Sequence, residues 1–363
     1  MCQRVCIAMC LCLNPVLLIA DEPTSALDVL SSYEVIETLR NLEGISILLI
    51  THDISVAEKV ADRILVLNKG EICEGAETEV ILNSPQNDYT KSLIDSYNAI
   101  PYINQETEKS IKPDPVLKIC RLSKNYGHSE ILKDIDLEVN RDEILGIIGE
   151  SGCGKSTLSR CIMGLEDSVE GEIFYNDMDL LKLKIRERRK FSPEIQMIFQ
   201  NSRAVLNPRR KIIDIVQEPL VYNGMHKGNR EEMAKTALKD VGIDESMYRS
   251  KPTELSTGQC QRVAIARALV TRPKILICDE AVSSLDINIQ VQILKLLVDL
   301  KKRYGLTIIM ISHDIRVLQH YCSRIAIMKD ARILEIVDEQ ILSDGSIHPY
   351  TKKLMDVSCG ANK

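Results

Sequence analysis

One stretch decides how this chain folds: the apolar run Ile144-Leu-Gly-Ile-Ile148, followed by Gly149-Glu-Ser-Gly-Cys-Gly-Lys155-Ser156-Thr157. An apolar run that leads into glycines, lysine and serine is typical of a buried strand, a phosphate-binding loop and a helix. Glycines let the loop amides approach an anion, and the helix directs its positive N-terminal dipole to the same place. The stretch therefore predicts an α/β domain that binds a nucleoside triphosphate.

Several side chains are expected to act at this site, with ATP or GTP as the nucleotide and Mg²⁺ as the metal. The loop residues predicted to contact the nucleotide are Gly149, Ser151, Gly152, Cys153, Gly154, Lys155, Ser156 and Thr157. Lys155 is expected at the β- and γ-phosphates and Ser156 at Mg²⁺. Asp279 ends a later apolar run and is suited to hold Mg²⁺, while Glu280 is suited to orient or deprotonate the attacking water. His313 follows the next apolar run and is expected to donate toward the γ-phosphate.

Composition narrows the function classes. At 363 residues the chain exceeds the usual size of one core, so two domains, or one domain and a piece of another, are expected. A net charge of −6, no Trp and only 3 Phe disfavour a nucleic-acid partner. Twelve Cys without a CxxC pair are typical of reduced intracellular thiols. No apolar run reaches the length of about 18 residues that predicts a membrane span.

The chain contains an internal repeat. The segment from Gln3 to Asp28 is mirrored by Gln261 to Asp286, and Thr51-His52-Asp53 by Ser312-His313-Asp314. Because the first apolar run returns downstream, where no targeting signal operates, it is not interpreted as a signal peptide. Prolines among polar residues predict an extended linker between the copies. The expected organisation is a partial domain at 1–97, a linker at 98–115 and a complete domain at 116–363.

Periodicity predicts the elements of the second copy. The predicted strands are Leu117–Cys120, Ile131–Val139, Ile275–Ile277 and Thr307–Ile311, of which the last two are buried and parallel. The predicted helices are Ser156–Met163, Gln261–Val270 and Ile289–Arg303. The expected result is an α/β domain with an antiparallel β portion on its N-terminal side.

These motifs resemble the ATP-binding cassette (ABC) family, and the resemblance covers nearly the whole chain. It implies an α/β, P-loop nucleotide-binding domain with an antiparallel β portion and a helical subdomain, preceded here by a partial second copy. It also implies that Tyr126 contacts the nucleotide. Gln200 is similar to the Q-loop glutamine, with an implied part in hydrolysis and in Mg²⁺ binding.

The segment Leu255-Ser-Thr-Gly-Gln259 resembles the signature loop of the family. Family members pair head to tail, so the resemblance implies that Ser256, Gly258 and Gln259 contact ATP bound to a second ABC ATPase domain. Ser256 is suited to cap a helix whose amides point at the γ-phosphate. Thr257 stands where the family usually has glycine. Its side chain either weakens closure of the two ATPase domains, because it lies where the backbone nears the phosphate, or adds a hydrogen bond through its hydroxyl.

Three strings narrow the resemblance to ATPase subunits of oligopeptide, dipeptide and nickel importers: Gln200 to Arg209, Asp279 to Asp286 and His348 to Thr351. The resemblance implies an ATP hydrolase at the cytoplasmic face of the cell membrane. Integral-membrane permease subunits would dock near Gln200, and an extracytoplasmic substrate-binding protein would act indirectly. The alternatives are a soluble two-cassette protein that acts on ribosomes or DNA, and a fragment that binds ATP without efficient turnover.

The first copy retains Asp21, Glu22 and His52 but no phosphate loop, Q-loop or complete signature. Three hypotheses explain this: Met1 is an internal methionine of a longer chain, an adjacent chain supplies the front half, or second domains pair between chains. We favour the first, because Gln3 to Leu13 is typical of a helix whose preceding loop has been cut away. Its apolar face is then expected to lack a partner core.

Two groups of side chains are expected to serve packing or solubility. Cys2, Cys6 and Cys10 have helical i, i+4 spacing and are expected to pack as small apolar residues. The basic run from Lys182 to Lys190 is expected to be a solvated helical face.

Overall fold

The structure is a computed structural model that describes residues 2–24, 27–98, 114–224, 227–282, 285–338 and 347–359. The chain divides into two compact units. The first consists of Met1–Tyr102, Asp286–Val291 and Lys353–Lys363, and the second of Ile103–Leu285 and Gln292–Lys352. The parts of the predicted linker and of the repeated strings that lie outside the described residues are 99–113, Ser25, Ala26, Ser283 and Ser284.

The first unit alternates helices and strands. Its elements in chain order are α1 (Cys2–Leu11), β1 (Leu17–Asp21), α2 (Val29–Arg40), β2 (Ser46–Ile50), α3 (Ile54–Val60), β3 (Arg63–Asn68), β4 (Glu71–Glu77), α4 (Thr78–Asn83) and α5 (Asp88–Asn98). Strands β1 and β2 are parallel, whereas β3 and β4 form an antiparallel hairpin. Asp28 begins α2 by accepting a hydrogen bond from the Ser31 amide at 2.9 Å.

The second unit contains two sheets. Its strands are β5 (Pro115–Tyr126), β6 (Ser129–Asn140), β7 (Ile144–Gly149), β8 (Val169–Tyr175), β9 (Met178–Asp179), β10 (Ile195–Ile198), β11 (Ile275–Asp279), β12 (Thr307–Ile311), β13 (Arg324–Lys329) and β14 (Arg332–Asp338). Six form a sheet in the order β10-β11-β12-β7-β13-β14, parallel except for β14. Four form an antiparallel sheet in the order β6-β5-β8-β9.

Helices connect these strands and form a region between β10 and β11. The helices after β7 are α6 (Lys155–Met163), α7 (Ile185–Arg188), α8 (Ser202–Val205), α9 (Ile212–Tyr222), α10 (Lys227–Asp240), α11 (Thr257–Leu269), α12 (Ile287–Tyr304), α13 (Ile315–Tyr321) and α14 (Pro349–Cys359). Strands β7, β11 and β12 are buried along their whole length, since both faces of the parallel sheet are covered. The predicted strands and helices of this copy are confirmed: Thr307–Ile311 has the predicted bounds, and each of the others differs by one to six residues at one or both ends. The antiparallel β portion is confirmed too.

The core of the second unit lies between its two sheets. Leu145 and Ile147 of β7 pack in one cluster with Leu158 and Ile162 of α6 and with strands of both sheets. Because β7 and α6 are both anchored there, the loop that joins them has fixed ends. That loop is the predicted phosphate-binding segment.

The expectation for the cysteines of α1 is wrong. Cys6 and Cys10 are exposed, and the inward stripe of the helix is instead carried by Ile7, which packs with Val35 and Leu39 of α2. The Cys2 side chain lies outside the described residues. The expectation that α1 lacks a partner core is therefore also wrong on the Ile7 side.

The basic side chains from Lys182 to Lys190 are exposed as expected, apart from Arg188, but the run is not one helical face. Only its middle part forms the four-residue helix α7. Lys182 pairs with two acidic side chains, and the Arg188 guanidinium donates to the Cys161 carbonyl at 3.0 Å. Burial lowers the pKa of Arg188, so this cation is part of the packing rather than of a solvated surface.

Among the described residues, no helix is both long enough and apolar enough to cross a bilayer.

Candidate nucleotide-binding site

The predicted loop connects β7 to α6 and requires glycine at defined positions. Gly152 and Gly154 have φ of +83° and +105°, in the left-handed region that favours glycine. A Cβ at Gly149 would lie 2.2 Å from the Met328 carbonyl oxygen, and one at Gly154 would lie 2.5 Å from that of Ile131. The loop backbone is thus packed closely against β13 and β6. Ser151 lies on its exposed side, and Thr157 is buried in α6.

Lys155 points into this loop. Its ammonium donates to the carbonyl oxygens of Gly149 at 2.8 Å and Glu150 at 2.9 Å, and it lies 3.9 Å from the Cys153 sulfur. Burial raises the pKa of the Cys153 thiol. A buried ammonium at the N-terminus of a nine-residue helix makes this loop suited to bind an anion.

Ser156 and Asp279 meet beside the loop. The Ser156 hydroxyl donates to Oδ1 of Asp279 at 3.1 Å, where β11 ends. Burial raises the pKa of Asp279, and the Ser156 hydrogen bond offsets this only in part. A hydroxyl and a buried carboxyl are both hard oxygen donors of the kind that Mg²⁺ prefers, so this pair fits the predicted metal.

Glu280 is the centre of a second group of side chains. Nδ1 of His313 lies 3.2 Å from its Oε1, and the Gln200 amide donates to its Oε2. Burial raises the pKa of Glu280, but His313, Lys155 and Gln200 outweigh it, so the pKa lies below its ordinary value. The carboxylate form is therefore favoured. Gln200, also predicted as a metal ligand, joins the site through this contact with Glu280.

Sheet order explains why these side chains meet. Strands β10, β11, β12 and β7 are neighbours, and each is followed at its carboxyl end by part of the group. Gln200 follows β10, Glu280 follows β11, His313 follows β12 and the loop follows β7. Ligands of open α/β sheets bind at this edge. The predicted roles of these residues remain predictions, but the structure brings the residues together.

Tyr126 ends β5 and is about half exposed, with a relative accessibility of 46%. The sequence did not point to its neighbour Lys124, whose ammonium lies 4.8 Å from the centroid of the Tyr126 ring. Lys124 lies two residues after the buried Leu122, so the alternation of side chains along β5 places both on the same buried face. That alternation was the sequence signal for the burial of Lys124.

The segment that resembles the signature loop begins α11. The Ser256 hydroxyl accepts from the Gln259 amide at 3.3 Å, and the Gln259 side chain accepts from the Ser256 amide at 2.9 Å. This capping box confirms that Ser256 caps a helix, of which Thr257 and Gly258 form the first turn. Among the described residues, the Ser256 side chain bonds to Gln259, and the Gln259 side chain bonds to Ser256 and to the Met247 sulfur. This group of residues is therefore separate from the group around Glu280.

The Glu280 geometry occurs a second time, inside the first unit. Glu22 and Glu280 have φ of +47° and +49°. In both units the glutamate amide donates to a carbonyl oxygen at the end of the neighbouring parallel strand. Glu22 donates to Ile50 at 2.9 Å, and Glu280 donates to Ile311 at 3.0 Å. Nδ1 of His52 lies 2.8 Å from Glu22, which matches the second site. The sequence repeat is therefore also a repeat of local geometry.

Known proteins are similar to this chain in sequence. A family model described as ABC transporter matches residues 132–283. The glutathione import ATP-binding proteins GsiA of Pectobacterium atrosepticum and of Escherichia coli strain K12 are each 36% identical, over 97% of this chain and 63% of their own length. The chain thus spans somewhat less than two thirds of these curated relatives.

Solved cassettes match the fold. The dimeric, post-hydrolysis structure of the cassette MJ0796 bound to ADP and Pi has a TM-score of 0.56 and 31% identity, over 61% of this chain and 98% of that one. The cbiO1 protein of Clostridium perfringens, part of the ABC transporter complex cbiONQ, has a TM-score of 0.58 and 30% identity, over 67% of this chain and 95% of that one. This chain, through the ATPase domain that it carries, belongs to the ABC transporter family.

Proposed function

We propose that this chain hydrolyses ATP as the motor subunit of an ABC importer for a short peptide, at the cytoplasmic face of the cell membrane. Permease subunits in the membrane would dock on it, and an extracytoplasmic substrate-binding protein would act through them. The similarity to glutathione import proteins supports a peptide more than nickel. It gives no support to an action on ribosomes or DNA.

One observation carries the hydrolysis part of this proposal: Glu280 is oriented from two sides by His313 and Gln200. A carboxylate kept ionised and fixed in position is suited to accept a proton from an attacking water. Since its φ is +49°, its side chain leaves the strand in a direction that the adjacent Asp279 does not share. The two acidic side chains therefore have different partners and different roles.

The remaining groups are suited to bind the phosphates of the nucleotide and to neutralise their charge. Lys155 would transfer its hydrogen bonds from the Gly149 and Glu150 carbonyls to phosphate oxygens, and the α6 amides would face the same charge. Ser156 and Asp279 would hold Mg²⁺, which supplies charge compensation to the phosphates. His313 orients Glu280 and is placed to donate a hydrogen bond at the same edge.

The first test measures ATP hydrolysis by the full chain over a range of chain concentrations. Because Ser256 and the phosphate loop form separate groups, we expect a complete site to need a second ATPase domain. The rate per chain should therefore rise with concentration. A constant rate per chain would show that pairing between chains is unnecessary, and ATP binding without turnover at every concentration would contradict the hydrolysis proposal for the chain alone.

A second part of the proposal concerns the first unit, as a partial cassette at 1–97 joined by the linker 98–115 to a complete one at 116–363. Six apolar side chains of β1, β2 and β3, here called the open face, are 47–61% exposed: Leu17, Ile19, Leu48, Ile50, Leu65 and Leu67. Such a set is unusual on a protein surface and indicates a place that another element covers.

The second unit indicates what that element is. The counterparts of the open face are at most 1% exposed: Ile275, Ile277, Ile309, Ile311, Ala326 and Met328. All six pack in the cluster that contains β7 and α6. Strand β7 also pairs in parallel with both β12 and β13, the counterparts of β2 and β3.

We infer that the open face accepts a strand, phosphate loop and helix like β7 and α6. An upstream segment or another chain would supply this front half of a cassette. The apolar area involved makes the association favourable, since each buried aliphatic side chain contributes roughly 1.5–3 kcal/mol. The completed first cassette would then be a candidate for the second ATPase domain.

We predict that a surrogate front half protects β2 from solvent exchange. Met1 corresponds to Gln259 in the repeat. A second copy of residues 114–259 placed directly before Cys2 therefore continues the alignment of the repeat without an insertion or a deletion. Amide hydrogen exchange of residues 47–50 should slow about tenfold or more, because a paired strand must open before it exchanges. The matched control carries Ile147→Asp in the added copy alone. Equal exchange in the extended chain, its control and the unextended chain would contradict the inference.

A further inference from the structure

Lys124 places a cation inside the second unit, next to the predicted site. Its side chain is 6% exposed, and its ammonium lies 3.6 Å from the Glu166 carboxylate, itself 12% exposed. The ammonium also donates to the Asp167 carbonyl. An ion pair with so little exposure costs desolvation and is weak evidence for stability. Its presence therefore calls for another explanation.

The pair lies against the ring of Tyr126. The Lys124 ammonium is 4.8 Å from the ring centroid, within the range of a cation–π contact. The pKa of the Tyr126 hydroxyl is raised, first by a hydrogen bond to Glu166 and then by burial. The Lys124 ammonium thus contacts both the ring and the Glu166 carboxylate, while 46% of Tyr126 stays accessible.

Backbone geometry connects this group to the phosphate loop. Lys124 is opposite Leu132 in the β5–β6 pair, and the register shifts immediately after it, between Lys124 and Asn125. Such a shift re-aims the next side chains. Leu132 also lies at Gly154 of the loop, 2.8 Å from the position that a Cβ would occupy there. One β-hairpin therefore carries Tyr126 and packs on the phosphate loop.

We propose that Lys124 and Glu166 are positioning residues that fix the Tyr126 ring as a platform for the base of the nucleotide. The inference rests on the proposed function, in which Tyr126 contacts ATP. A fixed ring needs less ordering when a base stacks on it, so the pair favours base binding through preorganisation. The ammonium and the carboxylate neutralise each other, so their effect is confined to the base and does not extend to the phosphates.

The test distinguishes binding of the nucleotide base from binding of the phosphates. The full chain is titrated calorimetrically with an imido-linked, non-hydrolysable ATP analogue and with inorganic tripolyphosphate, both with Mg²⁺. Lys124→Met keeps the apolar stem and should weaken binding of the analogue about 5- to 10-fold, the range of a lost cation–π contact. Tripolyphosphate binding should change less than about twofold, and Lys124→Arg should restore most of the analogue affinity.

Each other outcome has a distinct meaning. Equal weakening of both probes would overturn the proposal, because it would indicate a general disturbance of the loop. No change with either probe would overturn it as well. Tyr126→Ala must itself weaken binding of the ATP analogue more than binding of tripolyphosphate. If it does not, the base contact within the proposed function fails, and this inference fails with it.

Discussion

Replacement of Glu280 by glutamine is expected to lower ATP turnover by about 100-fold or more while ATP still binds. The substitution keeps the size of the side chain and removes its ability to accept a proton as a carboxylate. The remaining amide oxygen can keep the contact with either His313, now at 3.2 Å, or the Gln200 amide, so the size of the side chain is preserved and one of its two contacts is exchanged. Single-turnover hydrolysis and equilibrium binding of ATP, measured on the same preparation, separate the two effects.

Glu22→Gln supplies the matched control for this experiment. Glu22 has the same backbone geometry and the same histidine contact as Glu280, but no phosphate loop belongs to the first unit among the described residues. Turnover by the Glu22 variant should stay within about threefold of the original chain, because the described part of the first unit has no phosphate loop to place a nucleotide beside Glu22. If the two variants lose the same activity, or if Glu280→Gln turns over normally, Glu280 is not the base.

Local patterns were enough to predict the second cassette in outline. A continuous apolar run predicted β7, because both faces of a parallel strand are buried, and the glycines and Lys155 predicted the turn into α6. Asp279 and His313 each follow such a run, so their meeting at one sheet edge followed from strand direction alone.

Side-chain partners between distant segments were less accessible to sequence reasoning. Gln200 contacts Glu280 only because β10 is the neighbour of β11, and no periodicity specifies strand order. On α1 nearly every position is apolar, so spacing does not distinguish the inward Ile7 from the exposed Cys6 and Cys10. The partly buried Arg188 shows the same limit, since charge alone predicts a solvated side chain.

Replacement of Lys155 by alanine is expected to weaken ATP binding by about 100-fold or more, the loss of several charge-assisted hydrogen bonds to phosphate. In the structure its ammonium is shared between the Gly149 and Glu150 carbonyls and is only 7% exposed. The group is therefore already positioned inside the loop, and little side-chain ordering is needed when an anion arrives.

The loss must be distinguished from unfolding of the loop. Thermal unfolding of the full chain, recorded at increasing ATP concentration, gives both the stability without nucleotide and the rise in Tm that binding produces. Lys155→Ala removes two hydrogen bonds from a charged donor, worth roughly 1.5–3 kcal/mol each, so the Tm without ATP should fall while the chain remains folded. Lys182→Ala is the control, because its exposed ammonium pairs with Glu172 and Asp179 away from the loop.

The expected result is a folded Lys155 variant with no rise in Tm at ATP concentrations that stabilise the Lys182 variant. A Lys155 variant with an undiminished rise would contradict the assignment of the loop as the phosphate site. This outcome would also remove the expectation that a front half on the open face brings a second phosphate site, because that inference takes β7, the loop and α6 as its template. The packing part of the inference would stand, since it rests on the exposed apolar side chains of the open face and on their buried counterparts in the second unit.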